Sequence, residues 1–371
     1  MEDYKSAAQR ILSLADVKID GNRPGDIKVN NPKFYPRVLA GGSLALGESY
    51  MDGWWDCRHL DVFFDKILRA ELDKKVIKLK NVILPFLRAK LTNMQNKHRA
   101  KQVGEQHYDA GNDLYKLMLD KRMCYSCGYW KDAKTLDEAQ EAKLDLICRK
   151  LKLKKGMKVM DIGCGWGSFA KFAAEKYGVS VLGITISKEQ AKLAKENCKG
   201  LNVEIRLEDY RNITEKFDRI LSIGMFEHVG PKNYRQYMSV ANRCLKDDGL
   251  MMIHTIAGNT SVNSLEPWFH KYIFPNGVLP SAKQITAAAE GLFILEDWHS
   301  FGQYYEKTLI AWLDNFKKSW DKIKNKYDER FYRMWEYYLS SCIGSFRAKK
   351  NQLWQIVYSK IGSTEFYERV C

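Results

Sequence analysis

The sequence predicts an α/β fold, a mostly parallel sheet preceded by a smaller mixed amino-terminal unit. Three observations predict it. Short apolar runs, "KVMDIG", "VSVLGIT", "VEIRLED", "FDRILSIG" and "LMMIHTI", follow one another from about residue 158. Helical stretches such as "LDEAQEAKLDLICRKLKL" alternate with them, and strands alternating with helices imply βαβ units. A glycine bend, "DIGCGWGSFA", closes the first run and opens a helix. Ahead of all this lies a turn-rich stretch with a different pattern.

Taken in order, residues 1–95 form the first unit. It opens with an apolar-periodic helix, "AAQRILSLA". The stretch "DGNRPGDIKVNNPKFYPRVLAGGSLALGESYMDGWWD" holds three of the eight prolines and many glycines, so short strands and turns are expected there. Trp54 and Trp55 are read either as core or as lipid-contacting rings. Residues 96–104 read as a polar, basic linker, and 105–371 as the α/β unit.

Charge narrows the partners. The 371-residue chain carries a formal charge of +15. Residues 66–101 hold eleven Lys or Arg against Glu71 and Asp73. Within that window, "KKVIKLKNVILPFLRAKL" reads either as a basic amphipathic helix suited to an anionic bilayer surface or as a solvated linker helix. No nucleic-acid-binding module is recognisable, so nucleic acid is not expected. The start lacks a signal-peptide core, and the longest apolar stretches, such as "VILPFL", fall far short of the ~20 residues a bilayer span needs. A cytoplasmic protein is expected. The nine cysteines form no framework, and the lone "CYSC" has no partner motif for zinc, so no metal is expected.

Ligands of parallel sheets sit outside the carboxyl ends of the strands. Gly163, Gly165 and Gly167 follow the first run, where missing Cβ atoms let backbone approach a ligand. The spacing is not that of the dinucleotide fingerprint. Asp161 would repel a pyrophosphate but suits a ligand with positive charge. S-adenosylmethionine (SAM), with its sulfonium and ammonium, is such a ligand, and DxGxGxG resembles the first motif of Rossmann-like class I SAM-dependent methyltransferases. The acidic ribose ligand usual at the second strand end is missing. Thr185 and Gln190 stand in its place, and Asp209 and Tyr210 after the third run are candidates to hold the adenine.

Further stretches widen the resemblance: "GSLALGESYMDGWWD", "HYDAGNDLY", "YSCGYWKDA", "GITIS", "GMFEHVGPKNY", "KYIFPNGVLP" and "QLWQIVYSK". Together they resemble bacterial cyclopropane-fatty-acyl-phospholipid synthases along nearly the whole chain, the first unit included. The resemblance implies transfer of the SAM methyl to a cis double bond of a phospholipid acyl chain, a carbocation, loss of a proton and ring closure. It implies a lipid-associated first unit, a peripheral position at the inner face of the plasma membrane, and a homodimer. A carbocation must be kept from water and is stabilised by aromatic faces, which are dense in "CYSCGYW", "PWFHKYIF" and "DWHSFGQYY".

The resemblance also implies a bound bicarbonate as proton acceptor, cradled by Glu227, His254, Tyr305 and backbone groups at Cys127 and Ile256. Tyr125 and Ser126 match the SAM-contacting pair. An ionised Glu227 would repel an anion, so Glu227 is expected either to accept the bicarbonate O–H or to act beside a cationic His254 or His228, with a perturbed pKa. Two other readings of Glu227 stand: the general base itself, or a helix-capping acid. His228 is read as orienting a loop. Cys342 matches a cysteine once regarded as catalytic; in its apolar helical stretch it reads as a buried small hydrophobe. Two functional alternatives stand beside the main reading: a methyltransferase acting on an amine or on an unsaturated lipid without ring closure, and a silent lipid-binding protein.

Overall fold

The computed structural model describes residues 4–72, 111–364 and 366–370. The basic window beyond Leu72 and the linker at 96–104 lie outside the described residues. Packing divides the chain into two units.

The larger unit comprises Asn93–Asn263, Asn276–Tyr304 and Gln352–Cys371. Its strands are β3 (Lys158–Ile162), β4 (Ser180–Thr185), β5 (Val203–Leu207), β6 (Phe217–Ile223), β7 (Leu245–Gly258), β8 (Phe293–Ser300) and β9 (Asn351–Lys360). They form one sheet in the order β5-β4-β3-β6-β7-β9-β8. The pairs from β5 to β7 are parallel and β8–β9 is antiparallel. All five apolar runs of the sequence are strands of the parallel part.

These runs are continuous rather than alternating because both faces of the sheet are covered. Met160, Ile220, Met251, Ile253 and Ile356 enter one core cluster, while their neighbours Val159, Leu221, Leu250, Met252 and Val357 enter another. The helices on these faces include α5 (Leu136–Lys150), α6 (Ser168–Tyr177), α7 (Lys188–Asn197), α8 (Tyr234–Cys244) and α10 (Ala282–Ala289). A capping box closes the start of α5: Thr135 Oγ1 accepts from the Glu138 N–H, and the Glu138 carboxylate accepts from the Thr135 N–H. A shorter helix, α4 (Asn112–Met118), precedes them. The strand order reverses between β3 and β6, the switch point at which such sheets bind ligands.

The smaller unit comprises Met1–Thr92, Ser264–Pro275 and Tyr305–Asn351. It contains α1 (Tyr4–Ser13), β1 (Ile27–Val29), α2 (Phe34–Met51), β2 (Trp55–Cys57), α3 (Leu60–Arg69), α9 (Pro267–Tyr272), most of α11 (Gln303–Ser319) and α12 (Glu329–Arg347). Short strands β1 and β2 pair antiparallel as the turn-rich pattern suggests. Between them, however, that pattern gives way to an 18-residue helix. Pro36 falls in its first turn, where proline is tolerated. Gly42, at φ 58° and ψ −140°, is not helical, so it divides the stretch into two helices that meet at a kink.

Trp55 is fully buried, packed at 5.1 Å on Tyr50 and 5.2 Å on Phe63, so it is core. Trp54 is half-buried beneath the Arg37 guanidinium, 4.6 Å from the ring centroid. The division expected at residue 105 differs from the packing. The α12 helix belongs with α2 and α3 because its aromatic face completes their core, with Tyr337 4.9 Å from Phe64 and 4.5 Å from Trp268.

Within the larger unit, Lys150 on α5 and Asp297 on β8 form a wholly buried ion pair at 2.8 Å, and the half-exposed Arg369 reaches the other Asp297 oxygen at 3.3 Å. Removing one partner of such a pair strands the other in a low-dielectric interior. Because Arg369 still meets Asp297, Lys150→Met is expected to lower stability by less than the full cost of a lone buried charge, about 2 kcal/mol in urea unfolding. Lys150→Met combined with Asp297→Leu is expected to recover most of that loss.

Candidate active site

The carboxyl ends of β3 and β6 open into a cavity at the switch point. The glycine bend forms one wall. Gly163, Gly165 and Gly167 all adopt positive φ. A Cβ on Gly163 would stand 2.8 Å from Met225 Cγ, so the bend and the segment after β6 can touch only through glycine. Tyr125, Ser126, Asp161, Gly163, Gly165, Thr185, Gln190, Asp209 and Tyr210, all expected from the sequence, line this cavity. Gly167 does not line it; this residue caps α6 and lies against Cys198.

The polar lining is partly engaged already. The Thr185 hydroxyl donates to Gln190 Oε1 at 2.9 Å, which leaves the Gln190 amide N–H groups for a ligand. The Asp209 carboxylate accepts from the Arg211 backbone N–H at 3.0 Å and from its guanidinium at 2.7 and 2.8 Å. Asp161 is buried, its Oδ1 has no partner, and burial pushes its pKa up to about 7. Ile162, Ile184, Met225 and Val229 supply apolar walls. Such a lining suits a flat, amphiphilic ligand with charge at one end.

Among the cavity-lining residues that carry no sequence signal, two lie on α5. Lys143 and Leu144 face the cavity from α5. Gln140, Lys143, Ile147 and Lys150 recur at helical spacing and are all buried, a stripe in which the lysines break an otherwise inward face. Gln140 donates to the Ser126 carbonyl at 2.7 Å and Lys143 to the Ser126 hydroxyl at 2.9 Å, so α5 holds the segment carrying Tyr125, Ser126 and Cys127.

A second group of buried polar atoms lies beside the cavity. Met225 and His228 line it, and Glu227 stands between them in the 3-10 turn Phe226–His228. The Glu227 carbonyl accepts from the Val278 N–H at 2.8 Å, which fixes the turn. Its carboxylate Oε1 accepts from the Ile256 N–H at 2.7 Å, while Oε2 is buried without a partner. Burial pushes the Glu227 pKa up to about 7.

His254 lies on β7 in register with Ile223 at the end of β6. Gln355 Nε2 donates to its Nδ1 at 3.3 Å, which leaves the imidazole proton on Nε2, a buried atom with no partner. Burial, aided by Lys143 and Lys150, holds its pKa well below the ordinary histidine value. Burial also lowers that of His228, to about 4. Both imidazoles are therefore neutral, and the cationic neighbour envisaged for Glu227 is not what the protein provides. The site offers instead a carboxyl near its neutral point and an imidazole N–H donor.

Cys127 is buried in the same unit, its thiol donating to the Gly128 carbonyl at 3.2 Å. Tyr305 and Cys342 belong to the smaller unit. There Tyr305 stacks on Phe346 with centroids 4.5 Å apart. Burial pushes the Cys342 thiol pKa far up, which suits an inert residue rather than a nucleophile.

Known proteins share this architecture. A family model described as mycolic acid cyclopropane synthetase matches residues 95–356. The cyclopropane-fatty-acyl-phospholipid synthase of Escherichia coli strain K12 is 53% identical over 97% of this chain and 94% of its own length. The cyclopropane synthase MmaA2 from Mycobacterium tuberculosis superposes with a TM-score of 0.67 at 30% identity, covering 72% of this chain and all of that one. Mycolic acid cyclopropane synthase CmaA1, solved with SAH and CTAB, gives 0.65 at 33%, covering 70% of this chain and 98% of that one. With its class I methyltransferase sheet and a match across most of its length, the chain belongs to the cyclopropane synthase family.

Proposed function

We propose that this protein transfers the methyl carbon of SAM to the cis double bond of an unsaturated acyl chain in a membrane phospholipid and closes it to a cyclopropane. The observation that carries the reading is the placement of Glu227. A buried carboxyl with one bound and one orphaned oxygen stands in the turn whose neighbours line the donor cavity. Likeness to the Escherichia coli phospholipid enzyme over 97% of the chain supports an acyl-phospholipid acceptor.

An alkene is a weak nucleophile, so the protein's contribution is to hold donor and acceptor in line. The glycine bend and the Thr185–Gln190 pair fix the donor. Apolar walls keep water from the cation that forms. The proton lost on ring closure must then leave. The orphaned Glu227 Oε2 and His254 Nε2, with the backbone at Cys127 and Ile256, are the groups we assign to a bicarbonate. When bound, bicarbonate supplies a proton acceptor there. Glu227 and His254 orient the acceptor through hydrogen bonds, and burial favours the protonated Glu227 carboxyl, the form that does not repel an anion. We place the enzyme at the cytoplasmic face of the membrane as a homodimer, drawn there by its basic excess.

The function is tested by incubation with SAM and unsaturated phospholipid vesicles. Each converted double bond should gain the mass of one CH2 and show ring protons by NMR; a gain without ring protons would mean methylation alone. Glu227→Gln is expected to lower turnover about 10³-fold and leave S-adenosylhomocysteine affinity unchanged by calorimetry.

The same variant has a pH signature. Because the folded pKa of Glu227 is raised from 4.5 to about 7, its contribution to stability is present below pH 4.5 and lost as pH rises through 7. Glu227→Gln should therefore match the parent at pH 4 and exceed it by up to about 3 kcal/mol at pH 8 in denaturant unfolding. Rigorous removal of carbonate should slow turnover, with recovery on adding bicarbonate. Binding to anionic vesicles, followed by sedimentation, should weaken as salt rises.

A further inference from the structure

Lys143 is a buried ammonium without a counter-ion. Its residue is only 1% exposed, yet it lines the donor cavity. Nζ donates to Ser126 Oγ at 2.9 Å, and no carboxylate among the described residues lies within 4 Å of it. Taking an ammonium out of water costs several kcal/mol unless an anion meets it. The contrast with Lys150, seven residues along the same helix, is direct: that lysine is equally buried and is paired with Asp297 at 2.8 Å.

The charged groups around Lys143 are few. Asp161 and Asp120 both feel its field, as does His254, and of the two acids only Asp161 lines the cavity. Asp120 is committed elsewhere, accepting from the backbone N–H of Cys124 at 2.7 Å and of Arg122 at 2.9 Å. Asp161 keeps Oδ1 unpartnered. The cavity therefore presents one unpaired cation and one unsatisfied acid. The methionine end of SAM carries the complementary pair, an α-carboxylate and an α-ammonium. Ser126 completes the arrangement: its oxygen accepts from Lys143, so its own proton remains to be donated to an anion.

We propose that Lys143, with the Ser126 hydroxyl, is the residue that binds the methionine carboxylate of the methyl donor, while Asp161 meets the donor's ammonium. The proposal rests on the donor-site reading and adds to it the residue that recognises an amino-acid tail. Lys143 thereby makes the site selective for the intact donor over its decarboxylated form.

The test compares S-adenosylhomocysteine with its decarboxylated analogue by calorimetry, on the full-length protein. The wild type should bind the carboxylate-bearing ligand about 50-fold more tightly, the size of a charge-assisted hydrogen bond. In Lys143→Met that preference should fall to within about threefold, through loss of S-adenosylhomocysteine affinity alone. A merely structural lysine would weaken both ligands alike or neither, and either result in a folded variant overturns the proposal. If Lys143→Met does not fold, Lys143→Gln makes the same comparison, since it keeps a donor to Ser126 without the charge. Equal affinity of the two ligands for the wild type overturns the proposal without any variant. Failure of the wild type to bind either ligand would instead overturn the donor-site reading, and this one with it.

Discussion

The hydrogen bond from the Ile256 N–H to Glu227 ties the end of β7 to the turn after β6 and holds the Glu227 carboxyl in a buried position. Everything distinctive about the site depends on that burial. Desolvation moves the Glu227 and Asp161 carboxyls to about 7 and keeps His254 and His228 neutral. A buried acid without a full set of partners is a cost to the fold. The protein tolerates several such atoms here, at one end of one sheet, which is where a reaction through a carbocation needs a preorganised, water-free lining.

The parallel sheet explains how these groups meet. A strand that must be apolar on both faces cannot carry acids or imidazoles along its length, so they collect at its carboxyl end. Asp161 and His254 are strand residues near that end, and Glu227 follows in a turn. The α5 helix then contributes from the side. Its Gln140 and Lys143 brace the Ser126 segment, and its Lys150 pairs with Asp297 further along. One helix thus both shapes the donor cavity and anchors the antiparallel edge of the sheet.

Much of this was legible in the sequence, for identifiable reasons. The five apolar runs became parallel strands because their hydrophobicity is continuous, and the glycine bend announced the cavity because Asp161 and three glycines have few other uses at a strand end. Strands β8 and β9 carry a weaker signal, since "FILEDWHS" and "NQLWQIVYSK" mix polar and apolar residues as an antiparallel edge does. The Phe34–Met51 stretch is helical despite its composition because Pro36 sits in the first turn and, of its glycines, only Gly42 leaves the helical conformation. Lys143 gives no sequence signal, because a lysine on a helix ordinarily marks the solvated face. The neutral state of His254 depends on burial from every side, which no local pattern encodes.

The smaller unit is discontinuous, and this bears on how the chain is made. Its core joins α3 to α12, elements some 260 residues apart. At synthesis rates of about 5–20 residues per second, α3 emerges roughly 10–50 s before α12 exists. Phe63 and Phe64 have no α12 to cover them during that interval, while the whole parallel sheet from β3 to β7 is being produced. The core around α3 therefore matures only after α12 has been made, so translation speed and chaperone holding bear on yield.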